Sequence, residues 1–415
     1  MSALLFSLYL LVLAAELCLE WLNLRHLRQR AGEMPAAFAG AIDPQLLRRG
    51  EEYTVATTRL GLVETLAGGL AMAVFLFGGL LPLYDRWVSA LSDSFVFGGV
   101  LFFWGVLLAR LLLGLPFRLY HTFGLEARHG FNTTTPRLWL ADLAKSTLLS
   151  LLLSGLLAAG AFWLVSRTPQ LWWLWIWLLF ALFTALLMYV SPYLIEPLFF
   201  KFEPVRRPGL EEELRAMTQK TGVAVSRVLQ VDASRRSRHS NAYFTGLGRV
   251  KRIVLFDTLL EQMSDGEILA VLAHELGHWK RHHILKRLLA AELLFLAAFY
   301  LAFRLIEGGG LPPLLGMAEA SFAAQVVILS FLAGLAGFPF TPLGSWLSRR
   351  HEWQADRFAS DLTGHPDQLA SALIKLGREN LANLHPHPFY AWFHYSHPPL
   401  VERVERLLAQ RSRTS

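Results

Sequence analysis

Residues 264–306 read SDGEILAVLAHELGHWKRHHILKRLLAAELLFLAAFYLAFRLI, and three signals meet in that stretch. Ser264 and Glu267 have the spacing of a capping box, which opens a helix. Ile268, Leu269, Val271, Leu272 and Leu276 then supply an apolar face, so the helix is expected to run to about His283. Within it His274-Glu275-Leu276-Gly277-His278 places two imidazoles four residues apart, on one face of a rigid rod. The basic tract Lys280, Arg281, His282, His283 follows at once, and after it an apolar run, roughly 285–306, is long enough to cross a bilayer. The stretch therefore describes a polar, metal-competent helix standing at the water boundary of a membrane helix.

The rest of the chain repeats the membrane signal. Of its 415 residues 54% are hydrophobic and only 17% charged, against about 25% charge in a soluble domain. That excludes a disordered chain and a purely water-soluble enzyme. Seven stretches reach spanning length, roughly 3–21, 61–83, 95–115, 146–166, 171–199, 285–306 and 321–347. The first carries Glu16 and Glu20 and no small-residue cleavage site, so it reads as a retained helix rather than a signal peptide. Arg25, Arg28, Arg30, Arg48, Arg49 and Arg59 follow span 1; Arg118, Arg128, Arg137 and Lys145 follow span 3. The loop after span 2 has only Arg86, that after span 4 only Arg167, and that after span 6 no Lys or Arg. This alternation puts the odd-numbered loops and the carboxyl terminus in the cytoplasm and the amino terminus outside. The net charge of +7, with 32 Arg against 7 Lys, is read as this topology signal and not as nucleic-acid binding, because no basic run is interleaved with aromatics. The arginine bias points to a GC-rich bacterial genome and hence to a bacterial inner membrane. The expected organisation is a membrane domain over 1–200, a polar domain over 201–284, two further spans over 285–347, and a second polar part over 348–415.

A single cysteine, Cys18, excludes an internal disulfide and a cysteine-built zinc site. A metal must be held by His, Asp and Glu. His274 and His278 supply two zinc ligands, and Glu275 lies beside the open position, where it can take a proton from water and pass it to a leaving amine. An exposed helix with ordinary histidines is the plainer alternative, and His282, on the same face, could be mistaken for a ligand. A catalytic zinc needs a third protein ligand. The extended motif with a third histidine would need glycine at 281 and histidine at 284, where the chain has Arg281 and Ile284. Glu352, in Arg349-Arg350-His351-Glu352-Trp353-Gln354-Ala355-Asp356, is the better candidate, because spans 6 and 7 form a hairpin that returns to the same membrane face. Asp356, one turn on, can accept the free N–H of a zinc histidine; its alternative is a surface ion pair.

The helix motif, the seven spans and the late Arg-x-x-Glu-x-x-Ala-Asp resemble the integral-membrane CAAX prenyl protease 1 family. The resemblance extends to Phe123–Asn132 (FGLEARHGFN), to Ile195-Glu196-Pro197-Leu198-Phe199 with Lys201-Phe202, to Ser240–Phe244 followed by Lys251–Leu260, and to His394-Tyr395-Ser396-His397-Pro398-Pro399 with Glu402 and Arg403. Phe200 departs from it, standing where Asn or Asp is expected. The resemblance implies a predominantly α-helical membrane protein whose seven helices enclose a water-filled chamber. A cytoplasmic, gluzincin-like zinc protease domain with a small β-hairpin would sit at the chamber's cytoplasmic end. It implies one Zn2+ per chain held by His274, His278 and Glu352, with Glu275 as general base and His397 stabilising the tetrahedral intermediate. Asn241, Ala242 and Tyr243 would form an edge strand that pairs with the substrate backbone, and Arg403 would stand near the site, counted with these substrate-binding residues. The plainer readings are a simple hairpin turned at Gly246-Leu247-Gly248, and a helix cap at His397. Glu126, His129 and Asn132 either gate the chamber or anchor a loop.

The expected function is a membrane zinc endopeptidase acting on prenylated CAAX or other membrane-associated peptides, with the bilayer as its second partner. A HtpX-type quality-control protease has fewer spans. A site-2 protease would bury its motif within an apolar span, and a transporter or inactive chamber would not be expected to retain both histidines, Glu352 and Glu275 together.

Overall fold

The computed structural model describes residues 1–205, 207, 209–222, 227–245 and 252–414. Seven of its helical stretches are long and apolar enough to span a membrane. Helix α1 (Ser2–Gln29) leads through a loop to α2 (Pro44–Phe77), whose start is capped by the Asp43 carboxylate on the Leu46 N–H at 2.8 Å. A short amphipathic helix, α3 (Leu80–Leu91), precedes α4 (Phe95–Leu119). α4 runs on through a π-helical segment, Tyr120–Glu126. Helices α5 (Pro136–Arg167) and α6 (Trp172–Val190) complete the first five spans. The remaining two come after a polar region: α10 (His283–Glu307), and α11 (Phe322–Gly337) joined by one tight turn to α12 (Thr341–Thr363).

Most of these helices differ in extent from the apolar runs. α2 begins well before residue 61 because its first turns carry Arg48, Glu51 and Glu52, which do not belong to the apolar run. It stops at Gly78-Gly79, short of 83. Gly79 has φ +82°, and a Cβ on Gly78 would meet the Val74 carbonyl oxygen at 2.6 Å. The span that begins at Phe322 does not end near 347 but continues through the tight turn Phe338–Phe340 to Thr363, so that α12 carries Glu352 and Asp356 and runs through the boundary expected at 348.

Between 0% and 22% of each span's most apolar window is buried. A solid bundle would bury far more, so the helices stand as walls around a chamber. They touch in neighbouring pairs, α1 with α2, α4 with α5, α5 with α6 and α6 with α10. At the end remote from the polar region Leu76, Leu81, Phe102, Phe162, Leu311 and Ile328 close a compact core. There Asp85 of α3 accepts hydrogen bonds from the Ser321 N–H at 2.9 Å and hydroxyl at 2.5 Å, tying α3 to the cap of α11.

The polar region holds a four-stranded sheet of β1 (Phe202–Pro204), β2 (Arg227–Val231), β3 (Ala242–Thr245) and β4 (Arg252–Phe256) in the order β1-β2-β4-β3. Only β2 and β4 are parallel. Helices α7 (Leu210–Thr221), α8 (Asp257–Gln262) and α9 (Asp265–Lys280) pack beside the sheet. Helices α13 (Pro366–Glu379), α14 (Pro388–His394) and α15 (Leu400–Thr414) follow α12. α9 is the central rod. One side, with Ile268, Leu269 and Leu272, buries against Ile253, Leu255, Leu259 and Leu214. The other, with Ala270 and Ala273, packs on Ala359, Leu369, Leu373 and Val404.

Candidate metal centre

The Ser264–Glu267 capping box is formed, and it starts α9 where the sequence places it. The far end differs from expectation. α9 stops at Lys280; His282 adopts φ 57° in the left-handed region, and His283 opens α10. His282 is thereby turned off the α9 face it was expected to continue.

α12 crosses α9 so closely that a Cβ on Gly277 would lie 3.1 Å from the Ala355 Cα and 3.2 Å from the Phe358 side chain. This approach brings Glu352 to the two histidines. His274 Nε2 and His278 Nε2 are 3.2 Å apart. Glu352 Oε2 is 3.4 Å from His274 Nε2, and Oε1 is 3.3 Å from His278 Nε2. Four ligands at about 2.0–2.1 Å from a tetrahedral zinc stand roughly 3.3 Å from one another; the two Nε2 atoms have that spacing, and each has one oxygen of the Glu352 carboxylate at a similar distance. These three residues are the one group of metal-competent side chains among the described residues.

The charge balance points the same way. Glu352 and Asp356 are buried, and Glu352 Oε2 is out of contact with solvent and takes no hydrogen bond. Burial disfavours a charged His274, yet Asp356 and Glu352 outweigh it and push its pKa up to about 9. Burial also pushes the Glu275 carboxyl up. A proton on His274 and a divalent cation on the same imidazole are alternatives, and the buried carboxylates of Glu352 and Asp356 suit either.

Each histidine is held from behind. His274 Nδ1 lies 2.8 Å from Asp356 Oδ1, and Asp356 is gripped by Arg403 through Nε at 2.9 Å and Nη2 at 2.6 Å. Arg403 is buried, with Nη1 3.7 Å from Glu352 Oε2. It thus stands behind the carboxylates, a place that suits holding them more than meeting substrate. His278 Nδ1 lies 3.1 Å from His283 Nδ1, and His283 Nε2 lies 2.9 Å from Gln354 Oε1. His283 also stacks on His351 at 4.1 Å. Sequence reading missed His283 and Gln354 as supports, because they become neighbours only once the chain breaks at His282.

On the open side, His397 Nε2 is 3.5 Å from Glu352 Oε1 with its side chain 62% exposed. β3 is the terminal strand of the sheet, paired on one side with β4 and running beside α9. Asn241 immediately precedes it and accepts the Phe256 N–H at 3.0 Å. Tyr243 donates its hydroxyl to Glu196 at 3.2 Å. The turn expected at Gly246-Leu247-Gly248 lies outside the described residues. Glu126 is buried, and Asn132 bridges to Ser237.

A seven-span chamber with a two-histidine, one-glutamate centre built on an HExxH helix defines a membrane-embedded metalloprotease. Residues 23–201 match the family described as CAAX prenyl protease N-terminal, five membrane helices, and residues 204–411 match peptidase family M48. The CAAX prenyl protease 1 homolog of Arabidopsis thaliana is 32% identical over 412 residues, covering 95% of each chain. The CAAX prenyl protease 1 of Saccharomyces cerevisiae is also 32% identical, over 90% of this chain and 88% of its own. The crystal structure of Ste24p from S. mikatae superposes with a TM-score of 0.89 at 28% identity, covering 98% of both chains. The chain belongs to the CAAX prenyl protease 1 family. It is a multi-pass membrane metalloendopeptidase that hydrolyses peptide bonds.

Proposed function

We propose that this protein binds one zinc ion through His274, His278 and Glu352 and cleaves the backbone of lipid-anchored peptides of the CAAX type at the cytoplasmic end of its chamber. The observation that carries this reading is the seat of the His-His-Glu cluster, where α10 leaves the polar domain and α12 returns to it. A peptide tethered in the bilayer by a lipid can reach that junction while its tethering chain stays among the spans.

Bound zinc supplies Lewis acidity and makes water a nucleophile at neutral pH. Glu275 takes the proton of the attacking water and returns it to the nitrogen of the leaving amine. His397, exposed on the open side, donates a hydrogen bond to the developing oxyanion. Asn241, Ala242 and Tyr243 offer the outer edge of the terminal strand to the substrate backbone, which would add as a further strand. Arg403 keeps Asp356 charged and directed at His274. The loop charges support a cytoplasmic site and an external amino terminus.

Glu275→Gln is expected to keep its zinc and to lose cleavage by orders of magnitude. Metal content and turnover on detergent-purified protein test this, with a farnesylated CAAX peptide beside its unprenylated twin. Full activity in the variant would overturn the base assignment; equal cleavage of both peptides would remove the lipid from recognition.

A further inference from the structure

Between the membrane domain and the strand offered to substrate lies a polar cluster outside the metal chemistry. Segment 234–240, just upstream of β3, is held on both flanks. On the membrane side the Thr133 N–H donates to the Arg236 carbonyl at 3.3 Å, the Thr133 hydroxyl to the Ser234 carbonyl at 2.7 Å, and the Arg238 N–H to the Phe131 carbonyl at 3.0 Å. Arg236 pairs with Asp142 of α5 at 2.8 Å. On the other flank the Thr258 hydroxyl donates to the His239 carbonyl at 3.0 Å.

His239 joins the two. Its Nε2 lies 3.1 Å from Glu126 Oε2 and its Nδ1 2.9 Å from Asn380 Oδ1, while Phe131 stacks on the ring at 4.0 Å. The Asn380 amide is oriented by its neighbour: Oδ1 accepts the Ser240 N–H at 3.1 Å and Nδ2 donates to the Ser240 carbonyl at 3.3 Å. Both partners of the imidazole are therefore acceptors, so both ring nitrogens must donate, which requires the imidazolium. Glu126 is buried at the end of the π-helical turn, the kind of irregularity that concentrates at functional positions. Its other oxygen accepts the Tyr53 hydroxyl of α2 at 2.6 Å.

We propose that Glu126, His239 and Asn380 form an ionic latch that fixes the edge strand β3 in register with the chamber wall, making all three positioning residues for substrate binding. The latch rests on the reading that β3 pairs with substrate. It does not touch the metal ligands, so its loss acts on KM and spares kcat and zinc content. It is also set by pH. Burial opposes the charge on His239, and the Glu126 carboxylate and the Asn380 amide oxygen outweigh it and hold its pKa above the ordinary range. His121, 3.8 Å from Glu126, Tyr53, and His129, whose ring packs on Tyr53 at 5.1 Å, are further titratable groups facing the pair. The latch is complete below the ordinary histidine pKa and opens as pH rises through the higher value in the folded protein.

The test compares the full-length wild type with Glu126→Gln, His239→Gln and their double variant, with Tyr53→Phe as the milder change. Zinc content and thermal unfolding serve as controls. The expected result is a KM raised roughly tenfold in either single variant, with kcat within about twofold and the double variant no worse than the singles. Amide exchange over 242–245 should rise in parallel. The wild-type KM should climb with pH while that of Glu126→Gln stays flat. Unchanged exchange in the single variants, or additive effects in the double variant, would overturn the latch. Faster exchange with unchanged KM would overturn its role in binding and, separately, the reading of β3 as the substrate strand. Loss of zinc in step with activity would make the cluster a support of the metal site instead.

Discussion

His274 and His278 are backed by chemically different partners. Asp356 presents a carboxylate to His274, which raises the basicity of that ring, whereas His278 meets the neutral His283, itself held by Gln354. A donor chain from His278 through His283 to Gln354 leaves the Nε2 of His278 free for metal. Removal of such an outer partner costs about 10–100-fold in metal affinity. His283→Ala should therefore weaken zinc binding by roughly that factor in a chelator competition, with helix content unchanged; unaltered affinity would leave His283 as packing only. Arg403 is the second residue whose place decides its role. Breaking a buried ion pair from one side costs about 3–5 kcal/mol, so Arg403→Ala is expected to lower the thermal unfolding temperature sharply. A rise in KM alone at unchanged stability would return Arg403 to substrate binding, the role the sequence reading gave it.

The crossing of α9 and α12 is set by Gly277, the fourth residue of the zinc motif. Adding one methyl against the backbone at Ala355 overpacks the contact, at a cost of about 1–3 kcal/mol. Gly277→Ala should lower both stability and metal occupancy, because the displaced rod is the one that carries Glu352; unfolding curves and zinc content read the two together. At this scale the chain was legible where signals are local. The capping box, the i,i+4 histidines and the apolar face of α9 depend on neighbours within one or two turns, and all can be read from 264–278. The end of α9 could not be, since the periodicity runs straight through a left-handed His282. Pairings set by tertiary proximity, such as Glu126 with His239 across 113 residues of sequence, leave no periodic trace; the segment Phe123–Asn132 carries a motif, but nothing in it points to His239.

Across the whole molecule the spans were visible because about 20 apolar residues in a row have few alternatives. Their true lengths were not, because a helix can continue beyond its apolar run with polar residues, as α2 does, or packed into the polar domain, as α12 does. α12 in particular makes the membrane and polar parts one body.

The left-handed residue between α9 and α10 gives this continuity a mechanical meaning. His283 is the first residue of α10 and also a support of His278. α10 has 25 residues, about 37 Å at 1.5 Å each, more than a hydrocarbon slab of about 30 Å, so its tilt and the depth of its charged ends respond to bilayer thickness. A change in the tilt of α10 would turn the imidazole that stands behind His278, so turnover is expected to respond to lipid acyl-chain length. Turnover in vesicles of graded acyl length should pass through a maximum, and a flat profile would show that the break at His282 uncouples the two helices.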